Sequence, residues 1–353
     1  MSKITYTKKT LITLENGTSA EAHAPMIISA SRSTDIPAFY ADWFFNRLEK
    51  GYSVWTNPFN SLQSYISYKD VKFIVFWSKN PRPLIPYLDI LDKRNIGYYI
   101  QFTVNDYEKD GLESGVPPLS QRIETFKYLA ERLGKGRVIW RFDPLILTDN
   151  IDMESLLGKI SKIGEQLHDY TEKLVFSFAD ISIYKKVKSN MEAEGIKYKE
   201  WNKDTMILLA KELSSLNRKW GLELATCGES INLTNCGIKK NHCIDDRLIV
   251  RFGHQHPELM EALGVKIITT SLFEEDDSRY IRLDDGRYAI ITQDNRDRGQ
   301  REVCGCMKSK DIGQYNTCPH LCEYCYANAS KAQALANWRT HINNPHAETI
   351  TGI

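Results

Sequence analysis

The chain has 353 residues, with 46 Lys and Arg against 45 Asp and Glu, a formal net charge of +1 and 42% apolar residues. That balance gives no global electrostatic case for nucleic acid, and it is the composition of a globular protein with one large α/β domain or two ordinary ones. No apolar run nears the roughly 20 residues that span a bilayer. The stretch MSKITYTKKTLITLENG lacks the apolar core and cleavage site of a signal peptide, so a cytoplasmic protein with reduced thiols is expected.

Residues 3–22 read as a β-hairpin or extended arm turning at Glu15–Asn16–Gly17, which makes 1–23 an N-terminal arm. A short apolar run ending in polar residues, followed by an amphipathic segment, then recurs six times. The runs are MIISASRSTD (26–35), FIVFWSKN (73–80), YYIQFTVND (98–106), RVIWRFDP (137–144), KLVFSFAD (173–180) and LELATCGE (222–229). Continuous rather than alternating apolarity suits parallel strands buried on both faces. Helices are expected over 36–51 closing on Gly51, 83–97 closing on Gly97, 119–134 closing on Gly134, 152–168, and 203–220 closing on Trp220–Gly221. Six strand–helix units in series predict right-handed crossovers and a parallel sheet. At this length a (β/α) partial barrel of six parallel strands over 24–245 is preferred to an open doubly wound sheet. Neither G-x-G-x-x-G nor G-x-x-x-x-G-K-[ST] follows a strand, which weakens a nucleotide-binding open sheet. Residues 246–298 read as an insertion with a hairpin in YIRLDDGRYAIITQ (279–292) around Asp285–Gly286. Residues 299–353 form a C-terminal cysteine segment and helix.

The C-terminal end of each expected strand is polar: Ser31–Arg32–Ser33–Thr34–Asp35, Ser78–Lys79–Asn80, Gln101/Thr103/Asn105, Arg141/Asp143, Ser177/Asp180 and Cys227/Glu229. One polar strand end is ordinary loop chemistry; six of six predict a pocket on the rim where barrel enzymes build their active sites. Arg141 and Asp143 lie two apart and share a face. They can pair with each other or hold a substrate carboxylate or phosphate.

Five of the eight cysteines fall between residues 304 and 325. Cys318-Pro-His-Leu-Cys322-Glu-Tyr-Cys325 is C-x3-C-x2-C, and three thiolates at this spacing can hold three irons of a [4Fe–4S] cluster, leaving the fourth iron open to a small molecule. A structural zinc competes. It needs four ligands, and Cys304-Gly-Cys306 is too tight for a usual knuckle, although His320 could supply a nitrogen. Cys227, Cys243, Cys304 and Cys306 could make a second, closed cluster with Cys236 as a spare or replacement ligand; free cysteines are also common small core residues. Beside this segment, NRDRGQR (295–301) with Tyr324 and Tyr326 would suit a metal-stabilised nucleic-acid-binding or repair module, against the plainer account of a solvated charged loop.

The pattern C-x3-C-x-aromatic-C resembles the signature of the radical S-adenosylmethionine superfamily. The whole chain resembles an uncharacterised bacterial family, domain of unknown function 1848, sometimes grouped near spore photoproduct lyase and DNA repair photolyase-type enzymes. The matching stretches are SASRSTDIPAFY (29–40), VFWSKNP (75–81), VIWRFDP (138–144), CIDD (243–246) and GQREVCGCMKSKDIGQYNTCPHLCEYCYAN (299–328). The resemblance implies a full or partial (β/α)6 barrel and a cluster on Cys318, Cys322 and Cys325. It implies S-adenosylmethionine on the open iron and a 5′-deoxyadenosyl radical that abstracts hydrogen from the substrate. A reductant such as flavodoxin or ferredoxin is the expected partner. Arg32, Lys79 or Arg141 would meet the methionine carboxylate, and Asp143 or Asp180 the ribose or amino group. Glu229 stands nearest to the superfamily's Gly-Gly-Glu element, and Asp35, Asn80 and Tyr324 complete the cofactor-binding set. Arg141, Asp143 and Lys79 are the expected catalytic residues. The cysteine loop, which usually follows the first strand, is here displaced to the C-terminal side of the sixth. Other cluster enzymes transfer the aminocarboxypropyl group instead and release methylthioadenosine.

Overall fold

The structure, a computed structural model, describes residues 7–268 and 279–353. Each of the six apolar runs forms a strand: β1 (Ile27–Ala30), β2 (Phe73–Ser78), β3 (Gly97–Thr103), β4 (Val138–Leu145), β5 (Lys173–Phe178) and β6 (Glu223–Thr226). The sheet has eight strands rather than the expected six, because β7 (Ile238–Lys240) and β8 (Lys310–Asp311) extend its two edges. All neighbours pair in parallel, in the order β8-β1-β2-β3-β4-β5-β6-β7. Runs of three and two residues are too short to show a period, which is why sequence pattern passes over both edges.

Side chains alternate across the sheet. Ile28, Ile74, Phe76, Ile100, Phe102, Trp140, Phe142, Leu174 and Phe176 pack under the helices. Ile27, Phe73, Val75, Tyr99, Ile139 and Val175 face the other way. Helices Asp246–Gly253 and Pro257–Ala262 cover that second face with Ile249, Val250, Phe252, Leu259 and Met260. The stretch read as an insertion therefore contributes to the core. Its hairpin forms as expected, Tyr280–Arg282 against Tyr288–Ile291 with Gly286 at φ +82°, and Val265–Ile268 adds a third strand. Residues 269–278 of the insertion and 1–6 of the arm lie outside the described residues.

Thr7–Thr13 and Ser19–Pro25 make the expected N-terminal hairpin. It is not a free arm: Gln63–Ser67 and Tyr52–Thr56 complete a four-stranded sheet with it. Helices at Leu119–Leu133, Met153–Leu167 and Lys203–Asn217 follow the expected spans, and Asp152 and Asn202 cap the last two. The 36–51 segment is two helices, Ile36–Phe39 and Ala41–Lys50, ending on Gly51 at φ +87°. The 83–97 segment departs most. It is a 3₁₀ turn, Arg82–Tyr87, and a short helix, Leu88–Lys93, and the left-handed position belongs to Asn95 (φ +54°). Gly97 instead opens β3, where a Cβ would sit 2.6 Å from the Phe73 ring and 2.9 Å from the Phe252 carbonyl. Among the described residues no helix is long and apolar enough to cross a membrane.

Strand β8 places Lys310 over the Trp55 ring, 3.1 Å from its centroid, and burial pushes the ammonium down to about 8. A lysine whose folded pKa is depressed contributes stability above its unfolded value near 10.5 and loses it as pH falls through about 8. Lys310→Met is therefore expected to raise stability at pH 7 by about 1–2 kcal/mol, roughly half the full linkage value after allowance for partial exposure. Denaturant midpoints measured from pH 7 to 10.5 should show that advantage shrinking; a constant difference would assign it to packing.

Candidate metal and cofactor site

The last fifty residues are fastened to the end of the first strand by one carboxylate. Asp311 on β8 accepts hydrogen bonds from Ser29 Oγ, Ser31 Oγ and the Arg32 amide, each at 2.8 Å, and from the Gly313 amide at 3.0 Å. Gly313 must be glycine for this approach, since a Cβ would collide with the Ser31 hydroxyl. No sequence signal marked Asp311.

From this anchor the chain runs into the cysteine loop, which docks through His320. His320 exchanges bonds with Gly115, N to O at 3.0 Å and Nδ1 to O at 3.0 Å. A Cβ on Gly115 would lie 2.5 Å from the Pro319 carbonyl, so only glycine lets the loop this close. The other ring nitrogen, Nε2, is 2.8 Å from Asp35 Oδ2. Both ring nitrogens are therefore within hydrogen-bonding distance of an oxygen. The His320 ring, which the sequence offered as a zinc ligand, is here engaged on both sides, by Gly115 and by Asp35. Asp35 is equally engaged, accepting also from Ser78 Oγ (2.7 Å), the Lys79 amide (2.8 Å) and the Ala38 amide (3.0 Å). It positions the loop, and its four acceptor sites are taken.

Cys318, Cys322 and Cys325 are free thiols within electrostatic reach of one another. Burial pushes all three up, and for Cys318 and Cys322 the neighbouring thiols add to the rise. Working against this, backbone amides of Asp35 and His320 turn to Cys318, those of Ala327 and Asn328 to Cys325, and Lys79 faces Cys322 and Cys325. Protonated thiols in such a pocket are poorly solvated; thiolates there call for a cation.

Lys79 leaves β2 and inserts its ammonium into a buried network. Its Nζ lies 2.8 Å from Glu113 Oε1, 2.8 Å from the Tyr324 hydroxyl and 3.4 Å from Asn105 Oδ1, and Tyr324 also donates to Glu113. Arg122, 1% exposed, stands behind with Nη1 3.8 Å from Glu113 Oε2. Burial works to raise the Glu113 carboxyl, but Lys79 and Arg122 outweigh it and hold it below its ordinary value. Tyr324 is half-buried with its hydroxyl in this network. Glu113 and Arg122 escaped the sequence reading because neither lies at a strand end or in a motif.

The second group of thiols is also brought together. Cys227 and Cys243 have sulfurs 3.1 Å apart, and the Cys243 and Ile244 amides donate to Cys306 Sγ at 3.1 and 3.4 Å. Cys304 contacts Cys306. Contact with Cys227 and Cys306, aided by Arg141, holds the Cys243 thiol well below its usual range, and contact with Cys306 brings Cys304 down to about 6. Cys236 packs in a different cluster, among the helices, away from this foursome.

Arg141 connects this group to the pocket wall. Its Nη1 donates to Cys243 Sγ (3.2 Å) and Gln101 Oε1 (3.2 Å), and Nη2 to Asp143, which also accepts from Ser177. Arg141 and Asp143 thus pair with each other. Glu229 accepts from the Phe178 amide at 2.8 Å, and burial, with Asp180 and Asp143 nearby, pushes it up to about 7. Arg32 is the freest cation at the rim, with contacts of 3.5 Å to Gln300 and 3.9 Å to Asp311. Asn80 is tied through its amide to Ser78 Oγ at 2.9 Å. Of the basic segment's arginines, Arg296 donates to the Cys304 and Glu302 carbonyls and Arg301 to the Tyr184 hydroxyl, so two of three brace the loop, while Arg298 is exposed.

Fold and site together define an α/β protein with a sequential parallel sheet whose strand ends collect seven cysteines in two groups. Residues 27–327 match the family described as domain of unknown function (DUF1848), and the chain belongs to it. No curated protein matches the chain. A solved structure from Bacteroides thetaiotaomicron, named provisionally as an alpha-L-fucosidase, is similar at 10% identity over 55% of this chain and 84% of that one, with a TM-score of 0.21. That score is too low to bear on fold or function.

Proposed function

We propose that this protein is an iron–sulfur enzyme of the radical S-adenosylmethionine type, built on a partial (β/α) barrel of β1–β6 and acting on a substrate held at the strand ends. The observation that carries this reading is a half-buried to buried three-thiol pocket whose neighbouring His320 has both ring nitrogens in hydrogen bonds. Three thiolates with no fourth protein ligand among the described residues match a [4Fe–4S] cluster with one open iron better than a structural zinc, which closes with four. The residues present fit that group: thiol donors, converging backbone amides, and Lys79 and His320 as donors close by. When bound, such a cluster supplies one-electron cleavage of S-adenosylmethionine and, through it, hydrogen abstraction.

The chain's own groups divide the remaining work. Cys318, Cys322 and Cys325 would hold the cluster, and the Lys79–Glu113–Tyr324 network keeps a cation beside Cys322. Arg32, least committed to partners, would meet the methionine carboxylate. Asp143, Asp180 and Glu229 crowd one wall and would receive amino or hydroxyl groups. A flavodoxin or ferredoxin would supply the electron.

Anaerobic protein reconstituted with iron and sulfide, reduced, and given S-adenosylmethionine is expected to release 5′-deoxyadenosine, and Cys322→Ala to abolish the product. Methylthioadenosine in its place would convert the reading to aminocarboxypropyl transfer. Absence of both products from protein that contains its iron would overturn it.

A further inference from the structure

We infer that Cys227, Cys243, Cys304 and Cys306 form a second metal centre, a closed four-thiolate site that is separate from the open triad and independent of the S-adenosylmethionine reading. Three distant segments converge to build it. Cys227 follows β6, and its amide donates to the Phe176 carbonyl on β5 at 2.9 Å. Cys243 follows β7, and Met307 bonds back to Ile244 at 3.1 Å, which holds Cys306 against that loop. Gly305 allows two cysteines to approach as a pair, because a Cβ there would collide with the His242 ring.

The surroundings are those of bound sulfur rather than of a core thiol. Four donors aim at two of the sulfurs: the Cys243 and Ile244 amides at Cys306, and Asn241 Nδ2 (3.3 Å) and Arg141 Nη1 (3.2 Å) at Cys243. Hydrogen bonds of this kind orient metal-bound thiolates and tune the metal they hold. A buried guanidinium at Cys243 also favours the thiolate. A plain core cysteine would be lined by apolar atoms. Here the Cys227 and Cys243 sulfurs lie 3.1 Å apart in hydrogen-bonding contact, outside disulfide bonding distance.

Thiolate sets select soft metals, either iron in an iron–sulfur cluster or zinc. With four protein ligands the centre has no position for substrate, so it holds structure or carries electrons. Arg141 gives it a physical link to the pocket, because the same guanidinium holds Asp143 on the wall beside Ser177.

The test uses the full chain with the triad removed, Cys318→Ser/Cys322→Ser/Cys325→Ser, purified without oxygen and assayed for iron, sulfide and zinc. Retention of about four iron and four sulfide per chain would establish a cluster, and retention of about one zinc a zinc site. Either supports the centre, and adding Cys227→Ser/Cys243→Ser should remove the metal. Wild-type protein gives a check that requires no mutant to fold: its four thiols should resist alkylation until a chelator strips the metal. A metal-free triad variant with native circular dichroism would overturn the inference. So would a Cys227–Cys243 disulfide in unreduced wild-type protein.

Discussion

Asp35→Ala is expected to lower stability by about 3–5 kcal/mol and, on the proposed function, to lower the iron content of the triad at the same time. The size follows from what is left behind. Four donors lose their acceptor in the interior: the Ala38 and Lys79 amides, Ser78 Oγ and His320 Nε2. Leaving a buried donor unpaired costs about 1–3 kcal/mol, so the loss of one acceptor shared by four donors reaches about 3–5 kcal/mol after partial rearrangement. The metal effect follows from position, since His320 sits between Cys318 and Cys322 and Asp35 is its only side-chain hydrogen-bond partner among the described residues. Chemical denaturation and iron content of the purified variant measure both. Ser78→Ala, which removes one donor and keeps the His320 contact, should cost about 1 kcal/mol and retain iron. Equal iron loss in the two variants would refute His320 docking as the cause.

Glu113→Leu is the second large expectation. The leucine would leave Lys79 and Arg122 without their buried counter-charge, and Arg122 already has two terminal nitrogens without a hydrogen-bond partner. Stability should fall by about 3–5 kcal/mol. Glu113→Gln preserves the shape and an acceptor for Lys79 and should cost about half as much. Denaturant midpoints of the two variants, with Tyr324→Phe as a control expected to lose only about 1 kcal/mol, separate charge from packing. A leucine variant as stable as the glutamine variant would mean that an acceptor for Lys79 contributes nothing beyond the charge that both substitutions remove.

Glu113 also shows what was legible in the sequence and what was not. The six strands were readable because each is a continuous apolar run of useful length, and the strand-end polar residues followed from them. The cysteine triad was readable from its spacing alone. Glu113 joins the site through contacts with Lys79, 34 positions earlier, and Tyr324, 211 positions later. No local pattern encodes separations of that kind. Asp311 was hidden for the same reason, since the serines that bind it are about 280 residues away. Gly97 shows the opposite fault. Its place after an amphipathic segment matched a helix cap, while its true cause is a Phe73 ring on the neighbouring strand. The fourfold grouping of Cys227, Cys243, Cys304 and Cys306 was within reach of sequence reasoning only as one combination among several. Packing excludes Cys236 from it.

Strand β8 has a consequence for biosynthesis. The outer edge of β1 and the hydroxyl and amide groups of Ser29, Ser31 and Arg32 wait for a partner that is made some 280 residues later. With synthesis running at about 5–20 residues per second, a growing chain holds that edge open for roughly 15–60 seconds. Both thiol groups are completed only by the same late segment. On the proposed function, metal delivery would follow translation of nearly the whole chain, and the strand edge stays unpaired until then.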